Sequence, residues 1–536
     1  MWGGVANLTN VTIAGCTAIS NTMQFSPAAM RGGHGGGVCV GGGVLVMEGG
    51  SVENCTAVTQ TANALGGGVE MDGGEATLTS VSIFGCVARS DRSQAYGGGV
   101  RVGGGVLVME GGSVRSCSAL AQKHNAWGGG VEMGGGKARL TGVSIFGCVA
   151  RSDRSRAKGG GLRMVDGVLV MEGGSVENCS ALAQKHNAWG GGVEMGGGEA
   201  RLTGVSIFGC IAHSDSIRAY GGGLHMIDGK LVMEGGSVEN CSASAQTDNA
   251  YGGGVEMQYG NATLTGVSIF GCVARSDQSQ AYAGGVRVYG GVLTMEGGSV
   301  GSCSALAQTA NAWGGGVEMG GGGGKARLTG VSIFGCVARS DRSQANGGGV
   351  SVYGGVLTME GGSLENCSAL AQTDNAYGGG VEMQFAEALT LTGVSIFGCV
   401  ARSDSGLAYG GGVSMYGGVL TMKGGSVGSC SALAQKHNAW GGGVEMGGGE
   451  ARLTGVTIAG CVARSDRSHA YEGKGGGVYA YQASTLRMVR CSIVDCVGTT
   501  DGVAIYIFAA TQVALDDVTL RGSVGGSPLY LAPTAA

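Results

Sequence analysis

Proline is almost missing from this chain, and its scarcity sets the first limits. Three prolines stand in 536 residues, and glycine, though abundant at 116, follows no Gly-x-y period, which excludes a collagen-like triple helix. Charge is scarce as well. Asp, Glu, Lys and Arg make up 13% of residues, well under the usual share. A net charge of −5 supplies no basic stripe to displace counterions from a nucleic acid, so no nucleic-acid partner is expected. No apolar run approaches the ~20 residues of a membrane-spanning helix, so no transmembrane segment is expected. The start, Met1 to Asn7, has neither the basic nor the apolar region of a secretory signal. Disorder is excluded in turn, because Val, Ile, Leu and Met are plentiful and net charge is low. Helical periodicity and helix caps are also lacking.

What the chain has is a repeat. Val81-Ser-Ile-Phe-Gly-Cys86 recurs at 143–148, 205–210, 267–272, 331–336 and 394–399, and as Val-Thr-Ile-Ala-Gly-Cys at 11–16 and 456–461. Cysteines keep the register: Cys55, Cys86, Cys117, Cys148, Cys179, Cys210, Cys241, Cys272 and Cys303 are each 31 residues apart. Cys336, Cys367, Cys399, Cys430 and Cys461 follow at steps of 33, 31, 32, 31 and 31. The extra residues fall in Gly320–Gly324 and near Phe385–Leu389, where connecting turns are expected. A fixed period of this length signals stacked structural repeats.

Two coil types alternate to make a 62-residue unit. Each carries three segments with apolar residues two apart, as in Val69/Met71, Ala76/Leu78 and Val81/Ile83. Period two means strands, and the intervening glycine clusters mean turns. Three short strands cannot bury a face alone, but stacked coils ~4.8 Å apart can. The expected fold is all-β: a right-handed parallel β-helix solenoid of about 15 coils, on the order of 70 Å long. Stacks of Val69, Met71, Leu78, Ile83, Cys86 and Ala95 with their counterparts would fill its interior. Residues 1–34 read as a partial coil with a longer excursion, 35–474 as regular coils, and 475–536 as diverged coils able to cap the stack. The chain enters mid-coil, so further sequence or a partner is expected at that end.

The Gly-Gly-Val strands (Gly67–Val69, Gly129–Val131) and Ile-x-x-Cys turns (Ile83–Cys86, Ile145–Cys148) resemble the repeats of polymorphic outer membrane proteins. These belong among right-handed, pectin lyase-like β-helix surface proteins. The resemblance covers roughly residues 8–500. It implies an extracellular or cell-surface location and an adhesive or structural role.

The cysteine ladder reads as a stack of buried, reduced thiols, with adjacent-coil disulfides as the alternative. Cys39 and the pair Cys491/Cys496 stand outside it and are the better disulfide candidates. No metal ligand set, cofactor or catalytic residue is expected: Cys-x-x-Cys with a nearby His is lacking, and the acids recur identically along the chain. Asp516-Asp517 is the one adjacent acid pair, with no polygalacturonase-like motif around it. A second ladder holds Tyr96, Trp127, Trp189, Tyr220, Tyr251, Tyr282, Trp313, Tyr377, Tyr409, Trp440 and Tyr471, interrupted by Leu65, Lys158 and Asn346. It is expected at an outward turn, either stacked on itself or facing a ligand such as a surface glycan. Phe84, Phe146, Phe208, Phe270, Phe334 and Phe397 form an outward row. Glu70, Glu132 and Glu194 alternate with Arg101, Arg163 and His225, which reads as register specification. Asn54, Asn178, Asn240 and Asn366 open Asn-x-Ser/Thr sequons.

A non-enzymatic extracellular rod, adhesin or structural, is the leading expectation. A carbohydrate binder using the aromatic ladder and a filament subunit associating end to end are the alternatives.

Overall fold

Runs such as Val69-Glu-Met71 are too short to form a sheet except by pairing with copies of themselves, and that is how they are used. The computed structural model describes residues 2–20, 33–466, 472–482, 484–499, 502–508 and 512–532. Pro27, with most of the expected N-terminal excursion, and Tyr471 lie outside the described residues. Every regular element among the described residues is a strand, and the chain is a parallel β-solenoid of about 15 coils. It divides into two compact units, residues 1–267 and 268–536.

In the first unit one coil runs through Val69–Met71, Glu75–Thr79, Ser82–Phe84, Val87–Ser90 and Ala95–Tyr96. The first three are the strands expected from the alternation. Two further segments, either side of the Ser-Asp-Arg loop, pair as well. The next coil lies parallel and in register: Val69 faces Val100, Leu78 faces Met109, Ile83 faces Val114, and Ala88 faces Ala119. The second unit repeats the pattern, with Val317 facing Val350 and Leu328 facing Met359. Gly320–Gly324 forms the turn between Val317–Met319 and Lys325–Thr329, so that insertion leaves the register intact.

The interior is the set of expected stacks. Val69, Val100, Met71, Leu78, Met109, Ile83, Cys86 and Ala95 are all fully buried. Val81, paired with Ile83 in the alternation, is buried with them, and so are Ala88 and Ser90, which alternation did not single out. Ser90 Oγ donates to the Ala62 carbonyl (2.9 Å) and accepts from the Ser93 amide (3.0 Å), so this buried hydroxyl ties its loop to the coil below.

Two kinds of glycine matter here. The corner before each cysteine is left-handed, taken by Asn54 (φ 50°), Gly85 (φ 63°), Ser116 (φ 51°) and Gly147 (φ 60°) in successive coils. The sequon asparagines Asn54, Asn178, Asn240 and Asn366 therefore already serve as turn residues. Gly129, by contrast, is there for contact: a Cβ would lie 2.3 Å from the Gly160 carbonyl oxygen. Gly129→Ala should cost about 3 kcal/mol, by forcing two coils apart. Gly142→Ala, at φ +62° in open space, should cost about 1 kcal/mol. Hydrogen exchange around residues 129–160 should rise sharply only for the first variant.

Candidate functional site

The middle residue of each first strand should point away from the interior by strand alternation. It does, yet in most coils it is buried. Glu70, Glu132, Glu194, Arg163 and His225 are at most 4% exposed. The aromatic turn that ends each coil folds over this face. Arg163 Cζ sits 3.9 Å from the centroid of the Trp127 ring, and Lys158 Nζ 3.6 Å from that of Trp189.

Beneath that cover the charges of the first unit are cross-linked. Arg101 bonds Glu70 (2.9 Å) and approaches Glu132 (3.6 Å). Arg163 reaches Glu132 (3.2 Å) and Glu194 (3.0 Å), and Lys158 adds a contact to Glu194 (3.4 Å). Burial pushes Lys158 down to about 8, against the pull of Glu194. His225 takes the arginine position in the next coil; burial and the nearby Lys158 charge hold it well below its usual range. The pairs are the expected register devices, but their burial changes their weight: breaking a buried pair costs several kcal/mol, where an exposed one is worth a few tenths.

The aromatic ladder is half-buried to buried and largely engaged with itself. In the first unit Tyr96 meets Trp127 edge-on (4.8 Å), Trp189 meets Tyr220 (6.0 Å), and Tyr220 stacks on Tyr251 (4.8 Å). In the second, Tyr282 stacks on Trp313 (6.4 Å), Tyr377 on Tyr409 (4.7 Å), and Tyr409 meets Trp440 (5.1 Å). The exposed aromatics lie elsewhere. Tyr289, Tyr353 and Phe385 follow first strands of the second unit and Tyr416 ends one, and Tyr353, Phe385 and Tyr416 make consecutive edge contacts at 6.1 and 5.6 Å. The sequence reading missed this row, although Tyr-Gly-Gly at 289–291, 353–355 and 416–418 marks it. The Phe row is exposed in both units, from Phe84 (44%) to Phe397 (50%).

One stretch of the charged row departs from the rest. In the second unit Arg287 pairs with Glu318 (2.8 Å), but Ser351 and Ser414 stand where further arginines would. Glu382 and Glu445 each accept a hydrogen bond from these serines (2.7 Å) and have no ion pair among the described residues. A pocket of about 290 Å³ opens there, lined by Glu382, Ser414, Glu445, Tyr377, Tyr416 and Tyr481.

The cysteines are thiols, with no disulfide among the described residues. Cys148 donates toward the carbonyls of Val114 and Phe146 (3.5 Å each), and its counterparts do the same. A hydrogen bond with Cys117, then burial, pushes the Cys86 thiol up. The disulfide expectation for Cys491/Cys496 is corrected. Cys496 continues the ladder above Cys461, with the Val497 amide donating to the Cys461 carbonyl (2.9 Å), and Cys491 takes the Val456 position one coil on. Cys39 is not disulfide-bonded either. It sits beside Glu70 (3.1 Å), and burial followed by that hydrogen bond pushes it up to about 11. His34, Cys39 and Glu70 bring ligand atoms within 4.8 Å of one another, a donor set that zinc accepts. The Arg101 guanidinium already places a positive charge on the same carboxylate.

Comparison with protein-family models, with curated proteins and with solved structures finds no match. Among the described residues no helix is long and apolar enough to cross a membrane.

Two outcomes follow. A thiol reagent should label exposed Cys16 quickly and Cys39 slowly in the native protein, and the buried ladder only after denaturation. Burial, opposed by the serine hydrogen bonds, pushes Glu382 and Glu445 up to about 8, with Glu318 facing Glu382, and Glu382, Tyr377, Tyr409, Tyr479 and Tyr481 around Glu445. Their folded values lie above the unfolded 4.5, so the stability they contribute is full below that pH and is lost as pH rises through about 8. Thermal melts between pH 5 and pH 9 should show this decline, and Glu382→Gln/Glu445→Gln should flatten it.

Proposed function

We propose that the chain is a non-enzymatic, surface-displayed adhesin that makes contact through the exposed aromatic row of its second unit. The row carries this reading. Tyr289, Tyr353, Phe385 and Tyr416 are 37%, 43%, 60% and 46% exposed, and adjacent large rings left in solvent mark interaction surfaces. The Gly-Gly-Val and Ile-x-x-Cys likeness to polymorphic outer membrane protein repeats supports placement outside the cell. Acids on the exposed faces recur from coil to coil, so position singles out none of them for catalysis. Thiols buried in a ladder keep the core indifferent to an oxidising exterior, which suits a surface component without disulfides.

Glycan binding is the second reading, and it rests on the same rings. Exposed faces at Tyr353, Phe385 and Tyr416 are free to stack on sugars. The Tyr96 to Trp440 ladder instead has ring faces taken up by Arg163, Lys158 and neighbouring aromatics.

Beads coated with the protein should adhere to cultured cells. The triple variant Tyr353→Ala/Phe385→Ala/Tyr416→Ala should lower adhesion by about tenfold or more with an unchanged thermal midpoint. Adhesion equal to wild type would overturn the assignment of this row. Prior enzymatic removal of cell-surface glycans separates the two readings: adhesion that survives it identifies a protein receptor.

A further inference from the structure

We propose that the pocket over Ser414 is a binding site for the guanidinium group of an arginyl ligand, which takes the place that Arg163 fills from within the chain in the first unit. The two stretches correspond residue by residue. Arg163 lies between Glu132 and Glu194 on adjacent coils, hydrogen-bonds Glu132 at 3.2 Å, forms an ion pair with Glu194 at 3.0 Å, and lays its guanidinium 3.9 Å from the Trp127 ring. Ser414 lies between Glu382 and Glu445 in the same register. Tyr377, one coil below, holds the position of Trp127. Both carboxyl groups and a ring are retained, the ring with Tyr409 stacked against it at 4.7 Å, and the cation is deleted.

The deletion leaves space and unmet demand together. The pocket of about 290 Å³ is walled by Tyr377, Tyr416 and Tyr481 and floored by both carboxyl groups and Ser414. Asn346, at a ladder position that mostly carries an aromatic ring, lines the same pocket and is only 2% exposed. Its Nδ2 is buried without a hydrogen-bond partner. A buried donor left unpaired is costly, and a carbonyl next to the alkyl stem of the ligand would satisfy it. The ligand chemistry is therefore a planar monocation, suited to two carboxylates and an aromatic face, joined by an apolar stem to an acceptor. An arginyl residue has these parts, either free or in a peptide. The site shares Tyr416 with the adhesin row but is carried by Glu382, Glu445, Ser414 and Asn346, which lie outside that row, so its variants at Ser414 and Glu445 test it separately.

Titration calorimetry at pH 8 with N-acetylarginine amide, its citrulline analogue and methylguanidinium tests this. Saturable binding of the arginine amide is expected, with methylguanidinium weaker by about tenfold and the neutral citrulline analogue not bound. Ser414→Arg, which restores the residue type of the repeat, should abolish binding while keeping or raising the thermal midpoint. Glu445→Gln, nearly isosteric, should weaken binding at least about tenfold and serves if the arginine variant fails to fold. A Gly-Arg-Gly peptide that binds as tightly as the amide assigns the site to a protein side chain; free arginine binding more tightly than the peptide assigns it to a small molecule. Absence of arginine amide binding, equal binding of citrulline, or full binding by a folded Ser414→Arg variant would overturn the proposal.

Discussion

Parallel, in-register pairing of one coil on the next is the constraint on which everything else in each unit depends. It sets each side chain ~4.8 Å from its own counterpart, so like meets like by geometry. For Val69 over Val100, or Cys86 beneath Cys117, that is favourable, because identical apolar shapes pack without voids. For a charge it is not. A row of glutamates at that spacing inside a covered face would repel and lose its hydration. The alternation of Glu70, Arg101, Glu132 and Arg163 answers both problems, and it explains why the sequence repeats every 62 residues when the backbone repeats every 31.

The same constraint makes departures informative. A solenoid gains most of its stability from nearest neighbours, so a substitution in one coil is felt locally and leaves the stack standing. Asn346, Ser351 and Ser414 are such substitutions, and they fall close together around Glu382 and Glu445. A core under selection for packing alone would close this gap with arginines, as the first unit does. The carboxyl groups instead keep their protons near neutral pH and stay buried beside open space. The exposed rings at Tyr353, Phe385 and Tyr416 lie in the same unit, at the ends of the same strands, so exposed rings and the open pocket collect where the repeat is least regular.

Most of the interior was legible in the sequence. Alternation across Val69/Met71 and Leu78, with the fixed cysteine spacing, identified residues that are fully buried. The left-handed corner was signalled where Gly or Asn precedes the cysteine, as at Gly85 and Asn54, but not where Ser116 does. The site was far less legible. Glu70 and Arg163 sit at positions that alternation assigns to the outside, and pattern reading counts an outward residue as solvated. Cys39 and Cys491/Cys496 were misread for a related reason: spacing along the chain breaks down near both ends of the repeat, whereas the pairing of the coils continues through Cys496.

The sequence by itself determined the period, the strand identity and the contents of the interior, because all three follow from local alternation and from a register copied along the chain. Tertiary structure alone decided that the outward face of the first strand is roofed by aromatics from the turn, and so which charges are buried, which rings are exposed, and where a cation is missing. Those outcomes depend on contacts between residues a whole coil or more apart, whose meeting is set by how the turn folds back. No window of sequence shorter than a coil contains that information.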